Sequence, residues 1–244
     1  MTINDTPTLC GVGAAVPTLF DPVLQRGLAE KLHSEGARLL LAGGTTGRGE
    51  SLTHAQRCIV TFACALDGVF VIAGVPWGTS DTELEELTNS GASAFLSAPS
   101  VRSDIDDVLN EHSRMKAIGT TLIAYHHPGR HSPLDPSFYS HLASHGIPIK
   151  NSDPNPQVLS AMLTAGCQVF IGSTARLMDF QTGAVGVLSG LGGVMFEDVK
   201  KTAYGDVQAQ ARLMNFEEHV KEDRISGVEE LAELHAEAYL SDNT

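Results

Sequence analysis

Gly146-Ile147-Pro148-Ile149-Lys150-Asn151 is a short apolar run ending on a lysine, followed by the turn residues Ser152-Asp153-Pro154-Asn155 and a helix-periodic stretch from Pro156. Strand, tight turn and helix in that order make one βα unit, and the rest of the chain repeats it. Going backward, the pattern predicts strands at 12–20, 37–42, 69–74, 94–96 and 120–125, and helices at 22–34, 53–66, 81–89, 104–118 and 135–144. Going forward, it predicts a helix at 156–165, a strand at 168–171, a short helix near 176–182, a strand at 184–188, and helix from 197 onward. Leu24, Leu28 and Leu32 mark the inner face of the first helix, and Thr53 suits the N-cap of the second. Eight strands thus alternate with eight helices. Continuously apolar strands need a parallel sheet covered by helices. Eight such units in about 250 residues is the size of a (β/α)8 TIM barrel, with a doubly wound open sheet as the alternative. Residues 1–196 are read as the barrel core and 197–244 as its last helix and a short helical C-terminal extension.

Lys150 differs from the five other lysines, Lys31, Lys116, Lys200, Lys201 and Lys221, each of which lies in a charged, helix-periodic stretch. An ammonium group at the mouth of a buried strand is costly to desolvate, and a neutral amine is what attacks a carbonyl to form a Schiff base. The alternative is a strand-end lysine whose head group snorkels to water. In a barrel the C-terminal ends of the strands converge on one face, so their residues share a pocket. Thr45 and Thr46 then stand in a glycine-rich turn whose amides suit a carboxylate. Tyr125 supplies a phenol for proton transfer near a carbonyl, and Arg130, in the loop after that strand, a bidentate fork for a carboxylate. Together they point to a 2-oxo acid held by its carboxylate with an amine at its ketone.

Composition narrows the partners. A formal net charge of −13 without a basic stripe excludes a phosphate-tracking surface, so neither nucleic acid nor an anionic membrane is expected. Cys10, Cys58, Cys64 and Cys167 show no CxxC spacing and are expected as buried free thiols, with no zinc site. The N-terminus has no basic segment followed by an apolar run, which makes a cytoplasmic protein the expectation. His126, His127 and His131 crowd one loop, but no carboxylate spacing supports a metal there, and a polar contact to substrate is the better reading. Ser189-Gly190-Leu191-Gly192-Gly193 is read as tight-turn glycines, with a phosphate cradle as the alternative. Trp77 either walls the pocket or packs between subunits.

The motifs at these strand ends resemble, in order, those of the dihydrodipicolinate synthase / N-acetylneuraminate lyase family of class I aldolases. Gly44-Thr45-Thr46-Gly47 is similar to its GTTG turn, and Tyr125-His126-His127-Pro128-Gly129-Arg130 to its Y-N-x-P-x-R segment. Ile149-Lys150-Asn151-Ser152 is similar to its I-K-D-S strand. Phe170-Ile171-Gly172 and Gly183-Ala184-Val185-Gly186-Val187-Leu188-Ser189 resemble its late strands. The resemblance implies that Lys150 forms an imine with pyruvate or a related 2-oxo acid, and that Tyr125 moves protons. It also implies that Gly44, Thr45 and Thr46 hold the carboxylate, and that Arg130 meets the second substrate, an aldehyde. It implies no metal or organic cofactor, and a homo-oligomer. Two departures bear on the activity. Arg48 replaces the glutamate that usually follows GTTG, and the run Arg48-Gly49-Glu50-Ser51-Leu52 is closer to the 2-keto-3-deoxygluconate aldolase branch. Ser97-Ala98-Pro99-Ser100-Val101-Arg102 has no tyrosine where the synthases carry a relay tyrosine. The dihydrodipicolinate synthase reaction proper and a non-catalytic 2-oxo-acid-binding homologue are the alternatives.

Overall fold

Strands β1 (Gly11–Ala15), β2 (Leu39–Ala42), β3 (Phe70–Gly74), β4 (Ala94–Ser97), β5 (Leu122–His126), β6 (Ile149–Asn151), β7 (Val169–Ile171) and β8 (Gly186–Ser189) pair in parallel, in sequence order. β8 returns to β1, so the sheet closes into an eight-stranded barrel without edges. The computed structural model describes residues 9–100, 102–129 and 134–222.

Helices α1 (Pro22–Ser34), α2 (His54–Cys64), α3 (Asp81–Asn89), α4 (Ile105–Ala117), α5 (Tyr139–Ser144) and α6 (Pro156–Thr164) cover the outside. Most start where the sequence offers a side-chain acceptor to the first free amides: Asp21 for α1, Thr53 for α2, Ser80 for α3, Asp104 for α4 and Asn155 for α6. α2, α3 and α4 carry reciprocal capping boxes, through Gln56, Glu83 and Asp107.

Side chains alternate along each strand. Ala14, Leu40, Val71, Phe95, Leu122, Ile149 and Val169 point outward into the layer shared with the helices. Leu39, Leu41, Ile72, Leu96, Ile123, Tyr125, Phe170 and Leu188 fill the barrel interior. Because Ile149 faces the helices, period two sends Lys150 inward. Its register partners are Tyr125 on one side and Phe170 on the other, both interior residues.

Four expectations need correction. β1 ends at Ala15, well short of residue 20, because Pro17 has no N–H to give to the ladder. The connection after β7 is a 3₁₀ segment, Thr174–Thr182, and two α-helices follow β8 instead: α7 (Phe196–Ala203) and α8 (Val207–Glu222). Leu24 is 39% exposed, and α1 buries Gln25, Leu28, Ala29 and Leu32. A four-residue spacing overshoots a 3.6-residue turn, so a series of such steps drifts off one face. Of the four cysteines expected as buried, Cys10 is exposed and Cys58 half-buried, whereas Gly190–Gly193 forms a 3₁₀ turn, as the tight-turn reading has it. The chain beyond residue 222, part of the expected tail, lies outside the described residues.

Candidate active site

The turn after β2 is built by close backbone contact. A Cβ on Gly49 would lie 1.8 Å from the Gly43 carbonyl oxygen, and one on Gly74 would lie 2.3 Å from it. Only glycine fits at both, so the chain folds back over the end of β3 and presents Gly44, Thr45 and Thr46 at the barrel mouth. Arg48, which follows, is left-handed with φ 50°, and is the one such non-glycine among the described residues. Its amide donates to the Thr45 carbonyl at 3.0 Å, closing the turn.

Beneath this turn lies Arg57, 5% exposed and reaching in from α2. Its Nη1 donates to the Gly74 carbonyl at 2.5 Å and its Nη2 to the Gly49 carbonyl at 2.8 Å. Burial holds this guanidinium below its usual pKa, and the neighbouring Cys58 and Glu83 push the other way. The sequence reading missed Arg57, since an arginine on an amphipathic helix ordinarily marks the solvated face.

Lys150 is buried on β6 with Nζ 4.4 Å from the centre of the Tyr125 ring. Nζ donates to Ser152 Oγ at 3.3 Å. The backbone of Gly172, just past β7, passes close by: a Cβ there would stand 3.1 Å from Nζ and 2.4 Å from Ser152 Oγ. Ser152, two residues after Lys150, therefore shares its side of the chain. That period-two relation was readable in Ile149-Lys150-Asn151-Ser152. The Tyr125 hydroxyl lies 3.2 Å from Thr45 Oγ1, which links the lysine strand to the glycine-rich turn. Burial alone would raise the Tyr125 phenol. The Lys150 charge and hydrogen bonds from Thr45, Ser152 and Lys150 outweigh it, and the phenol sits below its usual pKa.

The structure thus brings Lys150, Tyr125, Thr45 and Gly44 to one face. Thr46, also buried there, lies toward the end of β8, where a Cβ on Gly190 would stand 2.6 Å from its Oγ1. Arg130 and His131 lie outside the described residues. His126 and His127 diverge: the His127 ring stands edge-on to Tyr125 at 5.7 Å, while His126 is buried and its Nδ1 accepts from the Leu134 amide at 3.0 Å. Its Nε2 faces Asp153 Oδ2 at 3.5 Å.

A cleft of about 380 Å³ opens above Tyr125, between the glycine-rich turn and the ends of β3 and β4. Its walls include Thr45, Arg57, Val75, Trp77, Leu96 and Ala98, so Trp77 walls the pocket. Lys150 stands on the face of the Tyr125 ring rather than in this wall. Around Lys150 no three metal-ligating side chains converge among the described residues. One such group does converge, His54, Cys58 and Glu86, on the outer helices.

No family model matches the sequence, and no curated protein matches it. Solved structures do. A prophage protein from E. coli belonging to the dihydrodipicolinic acid synthase family, in complex with pyruvate, superposes with a TM-score of 0.76 at 18% identity, covering 87% of this chain and 83% of that one. KD(P)GA from T. tenax gives 0.73 at 20% identity over 88% and 83% of the two chains. Dihydrodipicolinate synthase from Aquifex aeolicus gives 0.71 at 21% over 86% and 80%. At these identities the likeness is one of fold: the chain has the (β/α)8 barrel found in these proteins.

Proposed function

We propose that the protein is a lyase of the dihydrodipicolinate synthase / N-acetylneuraminate lyase family, a class I aldolase acting on a pyruvate-type 2-oxo acid and an aldehyde. The observation that carries this reading is the buried Lys150 amine on the face of Tyr125, whose hydroxyl is bonded to Thr45 in the glycine-rich turn. The amides of Gly44, Thr45 and Thr46 take the substrate carboxylate, which sets the ketone carbon against Nζ. The neutral amine adds to the carbonyl; Tyr125 relays to the carbonyl oxygen the proton that the nitrogen loses and then gives its own, so the oxygen leaves as water and the phenolate remains. In the resulting imine the protonated nitrogen is an electron sink. The Tyr125 phenolate takes a proton from the adjacent carbon to give an enamine, which attacks the aldehyde carbonyl, and Tyr125 then gives that proton to the new alkoxide. The reverse order cleaves the same carbon–carbon bond, and water then hydrolyses the imine and frees Lys150. Because the imine supplies the sink, the route needs no metal or organic cofactor.

The cleft over Tyr125, walled by Trp77, Leu96 and Ala98, is where the aldehyde partner sits in this reading. Arg130 is assigned to an anionic group on that partner. A second reading, a homologue that binds the 2-oxo acid without turnover, is favoured by the tyrosine-free segment after β4. Lys150→Ala separates the proposal from an unrelated barrel activity. Turnover of a 2-oxo acid with a panel of aldehydes falls below detection while circular dichroism is unchanged. Full activity in that variant would rule out the imine route. Wild-type protein that forms the imine but turns over no aldehyde would favour the second reading.

A further inference from the structure

Three metal-ligating side chains of different kinds meet between two outer helices, well away from Lys150. His54 begins α2 and Cys58 follows one turn later, so both lie on the same face, opposite Glu86 on α3. One imidazole nitrogen makes both contacts: His54 Nε2 is 3.4 Å from Cys58 Sγ and 2.7 Å from Glu86 Oε2. All three ligand atoms fall within 4.8 Å of one another. Tetrahedral zinc with Zn–S of about 2.3 Å and Zn–N of about 2.0 Å places sulfur and nitrogen about 3.5 Å apart. The His54–Cys58 pair already has that spacing. The nitrogen–oxygen pair must open by about 0.6 Å, and Glu86, whose side chain is 57% exposed, has room to swing.

A carboxylate also stands near the other ring nitrogen of His54, beyond hydrogen-bond distance. A ligating imidazole usually has a carboxylate at its other ring nitrogen, which fixes the tautomer. Here Glu83 Oε1 lies 4.0 Å from His54 Nδ1. The other oxygen of that carboxylate is held by the Ser80 hydroxyl at 2.7 Å. Cys58 is half-buried, unlike the buried Cys64 and Cys167, so an ion can reach it from solvent. Thiolate, carboxylate and neutral imidazole together balance a dication. Sulfur and imidazole donors select a borderline-soft ion over magnesium or calcium.

We infer that His54, Cys58 and Glu86 form a binding site for a zinc-class divalent cation that ties α2 to α3, with water completing the coordination. On binding, Cys58 gives its thiol proton to solvent, and His54 ligates through Nε2 as the neutral imidazole with its Nδ1–H toward Glu83. A His–Glu ion pair beside a passive thiol is the competing account.

Cobalt(II) titration of the full, untagged chain under a phosphine reductant distinguishes them. The expected result is one equivalent bound with a thiolate-to-cobalt charge-transfer band, discharged by zinc and unaffected by magnesium. Cys58→Ser loses the band, Cys10→Ser keeps it, and His54→Ala or Glu86→Gln weakens binding by about tenfold or more. Zinc also raises the melting temperature of the wild type by more than that of Glu86→Gln, an exposed change that leaves the fold intact. Absence of the band in wild-type protein overturns the site. So does a band that survives Cys58→Ser, or one unchanged in both His54→Ala and Glu86→Gln. Loss of aldolase activity is not the readout, so the site stands or falls apart from the proposed chemistry.

Discussion

Replacing Arg57 with methionine should loosen the turn that carries Thr45 and Thr46. The guanidinium bridges the Gly74 carbonyl at 2.5 Å and the Gly49 carbonyl at 2.8 Å, tying the end of β3 to the loop folded over it. Methionine fills much of the volume but removes both charged hydrogen bonds, leaving the Gly49 carbonyl only the Leu52 amide at 3.4 Å, and each loss costs about 1–3 kcal/mol. Against this, the variant no longer buries a cation, which returns part of the loss. The balance is about 3 kcal/mol of destabilisation. For a chain of this size, that lowers the melting temperature by about 6–12 °C. Arg57→Lys keeps the charge but offers a single ammonium that cannot span both carbonyls, so about half the loss should remain. The Michaelis constant for the 2-oxo acid should rise by about tenfold in the methionine variant, as the amides proposed to hold the carboxylate lose about 1.4 kcal/mol of preorganisation. The assays are thermal unfolding by circular dichroism and steady-state kinetics on the same preparations. A methionine variant that melts with the wild type and keeps its Michaelis constant would refute the clamp, because the two carbonyls would then have found other partners at no cost.

Two further outcomes follow from the site. Tyr125→Phe removes the proposed proton carrier but leaves Lys150 in place, so turnover should fall by about 10²–10⁴-fold. The lysine should still be trapped by borohydride in that variant, and turnover within a few-fold of wild type would show that another group carries the proton. His126 is buried, and burial holds its pKa below the usual 6.5, with Asp153 offsetting part of the shift. The unfolded chain therefore binds the proton first as pH falls. Stability present above about pH 6.5 is lost on the acid side, between the unfolded and folded pKa values. Denaturant unfolding at successive pH values should show a shallower acid-side loss in His126→Gln than in wild type. Equal slopes would mean that His126 does not titrate differently on folding.

The sequence carried the barrel because its signal is repetitive. Apolar runs such as Leu39–Ala42 and Leu122–Tyr125 alternate with capped helices, and each capping residue sits next to its own helix in the chain. Lys150 was legible for a related reason, as the one lysine outside a charged helix, with Ile149 beside it fixing which way it points. Features that depend on contacts between distant segments were not legible. Arg57 and Leu24 both lie on amphipathic helices, yet the arginine is buried, because α2 packs on β2 and β3, and the leucine is exposed, because α1 turns Gln25, Leu28 and Leu32 inward instead. Pro17 held the clue to the early end of β1, but the apolar residues around it masked a missing donor. The pairing of His54 and Cys58 is one helical turn and readable, whereas Glu86 reaches them only because α2 packs on α3.

The central claim is that the Lys150 amine attacks a ketone. Incubation of the intact chain with pyruvate and borohydride, followed by mass measurement and peptide mapping, tests it directly. The account predicts a single reduced pyruvyl adduct, located on Lys150 and absent from Lys150→Ala. Folded protein that gains no adduct with pyruvate or with a panel of longer 2-oxo acids, or gains it on another lysine, would contradict it.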